Sequence, residues 1–130
     1  TSYNEEEYIK LVDTMAGKLS IKISNPKDYI STLSGGNQQK AMLARWLALS
    51  PSILVLNEPT RGVDIGAKSE IAKIISDMAE AGCTIIIASS EMEELLLMCD
   101  RIMVMNRGRA RIILEKESLT RENLFFYAMS

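Results

Sequence analysis

Residues 32–40 read Thr-Leu-Ser-Gly-Gly-Asn-Gln-Gln-Lys, and residues 53–60 read Ile-Leu-Val-Leu-Asn-Glu-Pro-Thr. In the first stretch, Ser34 can cap a helix that begins with two glycines. Free backbone N–H groups and absent Cβ atoms at such a helix start allow a phosphate to approach. The second stretch is a short apolar run bounded by prolines, which favours a buried strand of a parallel sheet. This strand ends at an acidic side chain, so the two stretches together indicate nucleotide chemistry.

With the Arg-Gly-Val-Asp of residues 61–64, these stretches resemble the second cassette of bacterial ATP-binding-cassette importers for ribose- and galactoside-type sugars. The resemblance extends from about residue 30 to the end of the chain. It implies an α/β fold of the P-loop NTPase type, in which helices flank a sheet. Residues 1–50 would then be part of the helical subdomain with the signature motif, and residues 51–130 part of the α/β core with a hairpin and a final helix.

The resemblance also implies the roles of the first group of site residues. Two cassettes face each other head to tail, so Ser34, Gly35, Gly36 and Gln38 are expected to contact an ATP molecule held by the opposing cassette. Asp64 lies in the family's D-loop, which couples the two nucleotide sites. Its carboxylate could also cap the next helix.

Three further positions concern the nucleotide site on this cassette's own sheet. Asn57 stands where the family has an Asp that holds Mg²⁺ through water, and an amide contributes no negative charge there. Glu58 stands at the position of the base that polarises the attacking water. Ser90 replaces the family's His, so its contact with the terminal phosphate is expected to be weaker. We therefore expect this cassette's own site to be catalytically impaired, with its signature motif intact.

Hydrophobic periodicity and capping residues predict the secondary structure. A short surface helix begins after Asn4 and ends at Gly17, and the segment 20–30 is irregular. The other predicted helices cover residues 34–48, 67–81, 91–98 and 121–129, and the predicted strands cover residues 53–56, 84–88, 101–105 and 109–114.

No Gly-x-x-x-x-Gly-Lys-Ser/Thr motif occurs in the sequence, so the loop that wraps the phosphates is missing. We expect the chain to be the C-terminal part of a longer cassette. By family topology, the missing P-loop strand lies between the strands at 84–88 and 101–105. Unpaired strand edges are adhesive. These two strands are therefore expected either to close on each other or to pair with another copy of the chain.

Composition excludes several other classes of function. The 130 residues carry a formal charge of −2, without the clustered basic surface that nucleic acid requires. The chain has no histidine, and its two cysteines, Cys83 and Cys99, are expected to be free, buried thiols rather than metal ligands. Residues 1–7 are polar and acidic, unlike a secretory leader. The expected location is cytoplasmic, at the inner face of the membrane, through contact with permease subunits.

The sequence therefore favours the ATP-hydrolysing subunit of a sugar importer, with ATP and Mg²⁺ as cofactors in the intact protein. Its expected partners are an opposing cassette, the permease and, indirectly, a sugar-binding protein. A regulatory or scaffolding cassette that has lost catalysis remains the alternative, because of Asn57 and Ser90. A cassette acting on DNA or RNA is disfavoured by the charge balance and by the absence of coiled-coil heptads.

Overall fold

The computed structural model describes residues 4–130 as five α-helices and four strands, with two short 3₁₀ turns at Ile30–Thr32 and Lys116–Ser118. The helices are α1 (Glu5–Lys18), α2 (Gly35–Leu49), α3 (Ile65–Glu80), α4 (Met92–Met98) and α5 (Arg121–Met129). The strands are β1 (Ile53–Asn57), β2 (Thr84–Ala88), β3 (Arg101–Asn106) and β4 (Arg109–Glu115). The polar segment predicted at residues 1–7 lies partly outside the described residues.

Four helices begin after a side chain that satisfies an unpaired backbone N–H group. These capping residues are Asn4, Ser34, Asp64 and Thr120. Because Asp64 caps α3, the helix starts at residue 65 rather than at the predicted residue 67. The prediction that Gly17 ends α1 was wrong, because the helix includes Gly17 and ends at Lys18.

Two separate two-stranded sheets form, one from β1 and β2 and the other from β3 and β4. The Thr84 N–H donates to the Ser52 carbonyl at 2.9 Å, and the Glu58 N–H donates to the Ala88 carbonyl at 2.8 Å. The first bond joins the starts of the two strands and the second joins their ends, so β1 and β2 are parallel. Strands β3 and β4 form the predicted antiparallel hairpin.

The hairpin turn consists of Arg107 and Gly108, whose φ angles of 49° and 73° are both positive. Positive φ at both central residues is the geometry that matches the twist of two antiparallel strands. The predicted turn signal at residues 106–108 is therefore confirmed.

The apolar run of β1 had predicted a strand that is buried on both faces, but only one of its faces is buried. Leu54 and Leu56 are buried, whereas Ile53 and Val55 are 62% and 68% exposed. Successive side chains of a strand point to opposite faces, and one face of β1 remains uncovered within residues 4–130.

The chain forms two compact units, one from residues 1–54 and 59–86 and the other from residues 55–58 and 87–130. In the first unit, the apolar spacing of α3 predicts one buried face, and the structure buries Ile71, Ile74, Ile75 and Met78 there. The apolar spacing of residues 34–48 predicts an inward face with Met42, Leu43, Trp46 and Leu47. In the structure, Met42 and Trp46 are exposed, and the buried residues of α2 are Gly36, Lys40, Leu43 and Ala44. The close approach of α2 to α3 at Gly36 sets this face.

The core of the second unit lies under the hairpin and consists of Ile102, Val104, Leu114 and Leu124. Met92, Leu95 and Leu96 of α4 pack against it. Because β3 pairs with β4 and β2 with β1, the predicted direct closure of β2 on β3 was wrong for the described residues. Pairing with another copy stays a prediction, as does the division of the chain at residue 50.

Candidate nucleotide-contacting site

The predicted signature residues lie at the first turn of α2. Ser34 is extended, with φ −61° and ψ 156°, and its Oγ accepts a hydrogen bond from the Asn37 N–H at 3.4 Å. The Gln38 N–H donates to the Ser34 carbonyl at 2.8 Å, as in an ordinary helix start. Within residues 4–130, the N–H groups of Gly35 and Gly36 have no hydrogen-bond acceptor. Two free donors at the positive end of a 15-residue helix fit an anionic group such as a phosphate.

The amide side chains after the glycines fix the loops around this turn. The Gln38 Nε2 donates to the Leu33 carbonyl at 2.8 Å, and the Asn37 Oδ1 accepts from the Lys22 N–H at 3.2 Å. Gln38, predicted to contact the nucleotide, thus donates its amide to its own loop in this structure. A contact between Gln38 and ATP stays a proposal.

Packing requires a glycine at position 36, whatever its predicted role in ligand access. It is buried, and a Cβ atom added to it would lie 2.6 Å from the Ala67 Cβ of α3, which is a clash. A Cβ added to Gly35 would lie 3.6 Å from the Gly62 carbonyl oxygen, an ordinary contact. The signature turn therefore packs against the predicted D-loop of the same chain, a contact that sequence reasoning missed.

The predicted D-loop, residues 61–64, turns at Gly62, whose φ angle is 76°. Asp64 then caps α3, and its Oδ1 accepts from the Ala67 N–H at 2.9 Å. The structural role expected of Asp64 is confirmed. Its role in communication between nucleotide sites stays a proposal.

Glu58 and Ser90, the two residues predicted to be catalytic, are brought together in the second unit. One carboxylate oxygen of Glu58, Oε1, accepts from the Ser90 N–H at 3.1 Å and from the Ser90 Oγ at 3.0 Å. The other oxygen, Oε2, lies 3.3 Å from the Ser89 Oγ. The Ser90 N–H and hydroxyl thus hold one oxygen of this carboxylate, and the Ser89 hydroxyl lies beside the other.

The backbone of Glu58 is strained, because its φ angle is +49° and glutamate rarely adopts the left-handed conformation. The Glu58 N–H donates to the Ala88 carbonyl at the end of β2, which fixes this turn. Strain of this kind persists where the surrounding structure over-determines it, often at functional sites. The geometry thus holds Glu58 at the end of a strand with its carboxylate directed at the segment 89–90.

Ser89 and Glu94 belong to the same cluster, and sequence reasoning singled out neither. The Ser89 hydroxyl is hydrogen-bonded to the buried Glu94 carboxylate as well as to Glu58, and it accepts from the Glu91 N–H at 3.1 Å. A hydroxyl has one hydrogen to donate, so two carboxylates compete for it. The sequence signal for this cluster is the acidic Glu94 next to the leucines of α4. That signal does not indicate a contact with Ser89.

Asn57 is exposed at the end of β1. Among residues 4–130, no cluster of three or more acidic, cysteine or histidine residues could hold a metal ion. The predicted contact of Asn57 with Mg²⁺ through water stays a proposal.

The two cysteines are free, as predicted, but they are half-buried rather than buried. Burial raises the pKa of the Cys99 thiol, and the negative charges of Asp100 and Glu94 add to the increase. No helix in the described part of the chain is long and apolar enough to cross a membrane.

Sequence comparisons place this geometry among known proteins. The family model described as "ABC transporter" matches residues 3–61. The chain is 46% identical to the ribose import ATP-binding protein RbsA 2 of Mesorhizobium japonicum over 98% of its own length and 25% of that protein's. It is also 46% identical to the galactose/methyl galactoside import ATP-binding protein MglA of Clostridium tetani, over 96% of the chain and 25% of the relative.

Solved structures give a consistent result. The structure of cbiO1 from Clostridium perfringens, described as part of the ABC transporter complex cbiONQ, matches with a TM-score of 0.72 and 32% identity, over 97% of this chain and 51% of that one. A dimeric bacterial ABC transporter cassette matches with a TM-score of 0.74 over 92% of this chain and 50% of that one, and its 22% identity shows the fold alone. The chain thus spans about a quarter of the curated relatives and half of the solved cassettes. The resemblance drawn from the motifs is confirmed: the chain is part of an ATP-binding cassette, similar in sequence to the ATP-binding proteins of ribose and galactoside importers.

Proposed function

We propose that this chain is part of an ATP-hydrolysing subunit that energises sugar import, and that it supplies the signature motif to an ATP molecule on an opposing cassette. The observation that carries the proposal is the pair of free N–H groups on Gly35 and Gly36, at a helix start capped by Ser34. The matching relatives are named for ribose and galactose import.

The chain's own residues contribute by binding and orientation. The N–H groups of Gly35 and Gly36, together with the Ser34 hydroxyl, donate hydrogen bonds to the terminal phosphate, where negative charge develops during hydrolysis. Bound ATP supplies the transferable phosphoryl group. Gln38 braces this turn through the Leu33 carbonyl, and Asp64 fixes the start of the neighbouring helix.

At this cassette's own site, Glu58 is the proposed base and Ser90 the residue nearest to it. The Ser90 N–H and hydroxyl hold the Glu58 carboxylate in place but also make one of its oxygens less available to a water molecule. Asn57 would contact Mg²⁺ only weakly, through water. These features support slow hydrolysis at this cassette's own site. Hydrolysis at the opposing site, to which this chain contributes its signature motif, would be normal.

The alternative is a catalytically degenerate cassette that acts as a regulator or scaffold. It is favoured by one observation, the direct pairing of Ser90 with Glu58, which occupies the base. Under either reading, the proposed partners are an opposing cassette and membrane permease subunits, with a sugar-binding protein acting indirectly. The proposed location is the cytoplasmic face of the membrane.

A Ser34→Arg substitution in the longer protein tests the proposal against the alternative. The arginine side chain would fill the space in front of the two free N–H groups, so we expect ATP hydrolysis to be abolished. Ser69→Arg is the matched control, because Ser69 is an exposed serine on α3 of the same unit, and it should leave hydrolysis unchanged. If Ser34→Arg retains the wild-type rate, the signature does not serve an ATP site and the scaffolding alternative gains support.

The 130-residue chain by itself provides a second test. It lacks the P-loop, so we expect it neither to bind ATP tightly nor to hydrolyse it. A clear ATPase rate from the purified chain that persists in Glu58→Gln would contradict both the role of Glu58 and the division of labour between cassettes.

A further inference from the structure

Lys40 is the last residue of the signature stretch, and no role has been assigned to it so far. Its side chain is only 5% exposed, which is unusual for lysine unless the charge is paired. The Nζ atom donates to the Glu70 Oε2 at 2.6 Å and to the Ser20 carbonyl at 2.8 Å. Lys40 thus joins three segments of the first unit: α2, α3 and the turn after α1.

The Lys40–Glu70 pair lies one turn beyond the Gly36–Ala67 contact. On α2, Gly36 and Lys40 are four residues apart, and on α3, Ala67 and Glu70 are three residues apart. Residues at these spacings share a helix face. Helices α2 and α3 are therefore held together at two successive levels, by close packing at the first turn and by an ion pair at the second.

The two partners of this pair differ in burial. Glu70 is 54% exposed and can be hydrated if Lys40 is removed, whereas the Lys40 ammonium is enclosed. Loss of either partner removes the charged contact between the helices, and loss of Glu70 also leaves a buried charge with only a carbonyl partner recorded. The turn at Ser20, where φ is +50°, presents the carbonyl that Lys40 holds.

We propose that Lys40 is a positioning residue for the signature turn. Through Glu70 and the Ser20 carbonyl, it holds the first turn of α2 against α3. The N–H groups of Gly35 and Gly36 and the Asp64 segment then move as one body. In the two-cassette arrangement, a shift at the D-loop would be transmitted directly to the signature of the same chain. This inference rests on the proposed function of the signature turn.

Three variants separate positioning from general stability. Lys40→Met keeps the long apolar stem and removes the charge, whereas Lys40→Arg keeps the charge. Lys73→Met is the matched control, because Lys73 pairs with Asp77 at 3.0 Å on the exposed face of α3.

The contact itself is tested by the amide NMR signals of the 130-residue chain without nucleotide. We expect Lys40→Met to shift the signals of Gly35, Gly36 and Ala67, and Lys73→Met to leave them in place. Unchanged signals in Lys40→Met, or equal shifts in both variants, would overturn the inference. If Lys40→Met does not fold, Glu70→Gln breaks the same contact from its exposed partner and should shift the same signals.

The consequence for nucleotide binding is tested by ATP hydrolysis in the longer protein, at a temperature where every variant is folded. We expect Lys40→Met to raise the KM for ATP about five- to tenfold, because misplaced binding groups weaken the contact. Lys40→Arg should restore most of the affinity, and Lys73→Met should have no effect. An unchanged KM despite shifted amide signals would make Lys40 a stabilising residue only and overturn the proposal. A wild-type protein without ATP hydrolysis would instead overturn the proposed function, while the NMR result would still decide whether Lys40 holds the helices together.

Discussion

The signature turn and the Glu58 cluster differ in how far each satisfies its own polar groups. At the signature turn, the N–H groups of Gly35 and Gly36 have no acceptor within the described residues. At the Glu58 cluster, the Ser90 N–H and hydroxyl donate to the carboxylate, and the Ser89 hydroxyl lies beside it. The exposed N–H of Gly35 can be satisfied by water or by a ligand, whereas the Glu58 carboxylate already has partners within the chain. This difference supports the proposal that the chain serves a nucleotide chiefly through its signature turn.

The largest effect is expected from closing the contact behind the signature turn. Gly36→Ala places a Cβ atom against Ala67 of α3, so we expect the free energy of unfolding to fall by about 1–3 kcal/mol. Gly35→Ala is the control, and it should change stability by less than about 0.5 kcal/mol, because its Cβ would meet only an ordinary contact. Urea unfolding of the two variants measures the difference. Equal stabilities would show that Gly36 is present for ligand access alone.

A somewhat smaller effect is expected at the Glu58 cluster. Ser89→Ala removes a hydrogen-bond partner from the buried Glu94 carboxylate, which should cost about 1–2 kcal/mol. Ser90→Ala should cost less than about 0.5 kcal/mol, since Ser90 is exposed and its N–H still donates to Glu58. Thermal or urea unfolding compares the two. If Ser90→Ala is the more damaging variant, the cluster is organised around Ser90 and not around Ser89.

Two helix caps of the first unit, Asp64 and Ser34, should differ in how much they stabilise the fold, because their hydrogen bonds differ in length. Asp64→Ala removes a 2.9 Å bond to the Ala67 N–H and a negative charge at a helix start, so we expect a loss of about 1 kcal/mol. Ser34→Ala removes a 3.4 Å bond and should cost less, about 0.5 kcal/mol. Chemical unfolding tests this order. A larger loss from Ser34→Ala would mean that its hydroxyl is needed for folding, which would weaken its assignment to the ligand.

Local sequence signals predicted those parts of the fold that depend on neighbouring residues. Caps at Ser34 and Thr120 and the turn at residues 106–108 follow from short-range hydrogen bonding and φ preferences, and the structure confirms them. The exposed face of β1 was missed because an apolar run does not reveal how many layers cover it. The inward face of α2 was missed for a similar reason, since Gly36 and Lys40 face inward only because α3 approaches there.

The candidate site shows the same limit. Resemblance to the cassette family pointed to Glu58 and Ser90 by position, and the structure brings them within 3.0 Å. Neither Ser89 nor Glu94 could be found in this way, because their contact depends on how the segment after β2 turns into α4. Gly36 was interpreted through ligand access alone, since its approach to Ala67 is a contact between residues 31 positions apart.

The smallest expected effect concerns the reactivity of the Cys99 thiol and its dependence on the negative charge of Glu94. The pKa of the Cys99 thiol is raised chiefly by burial, then by Asp100 and Glu94. A raised pKa leaves less thiolate at a given pH, and thiolate is the form that reacts with alkylating reagents. Glu94→Gln removes one of the negative charges, so it should lower the Cys99 pKa and modestly speed alkylation at pH 8.

The measurement uses a Cys83→Ser background, in which Cys99 is the only thiol. Glu93→Gln is the control on the exposed side of α4. An unchanged rate in Glu94→Gln would contradict the contribution of the Glu94 charge to the raised pKa of Cys99.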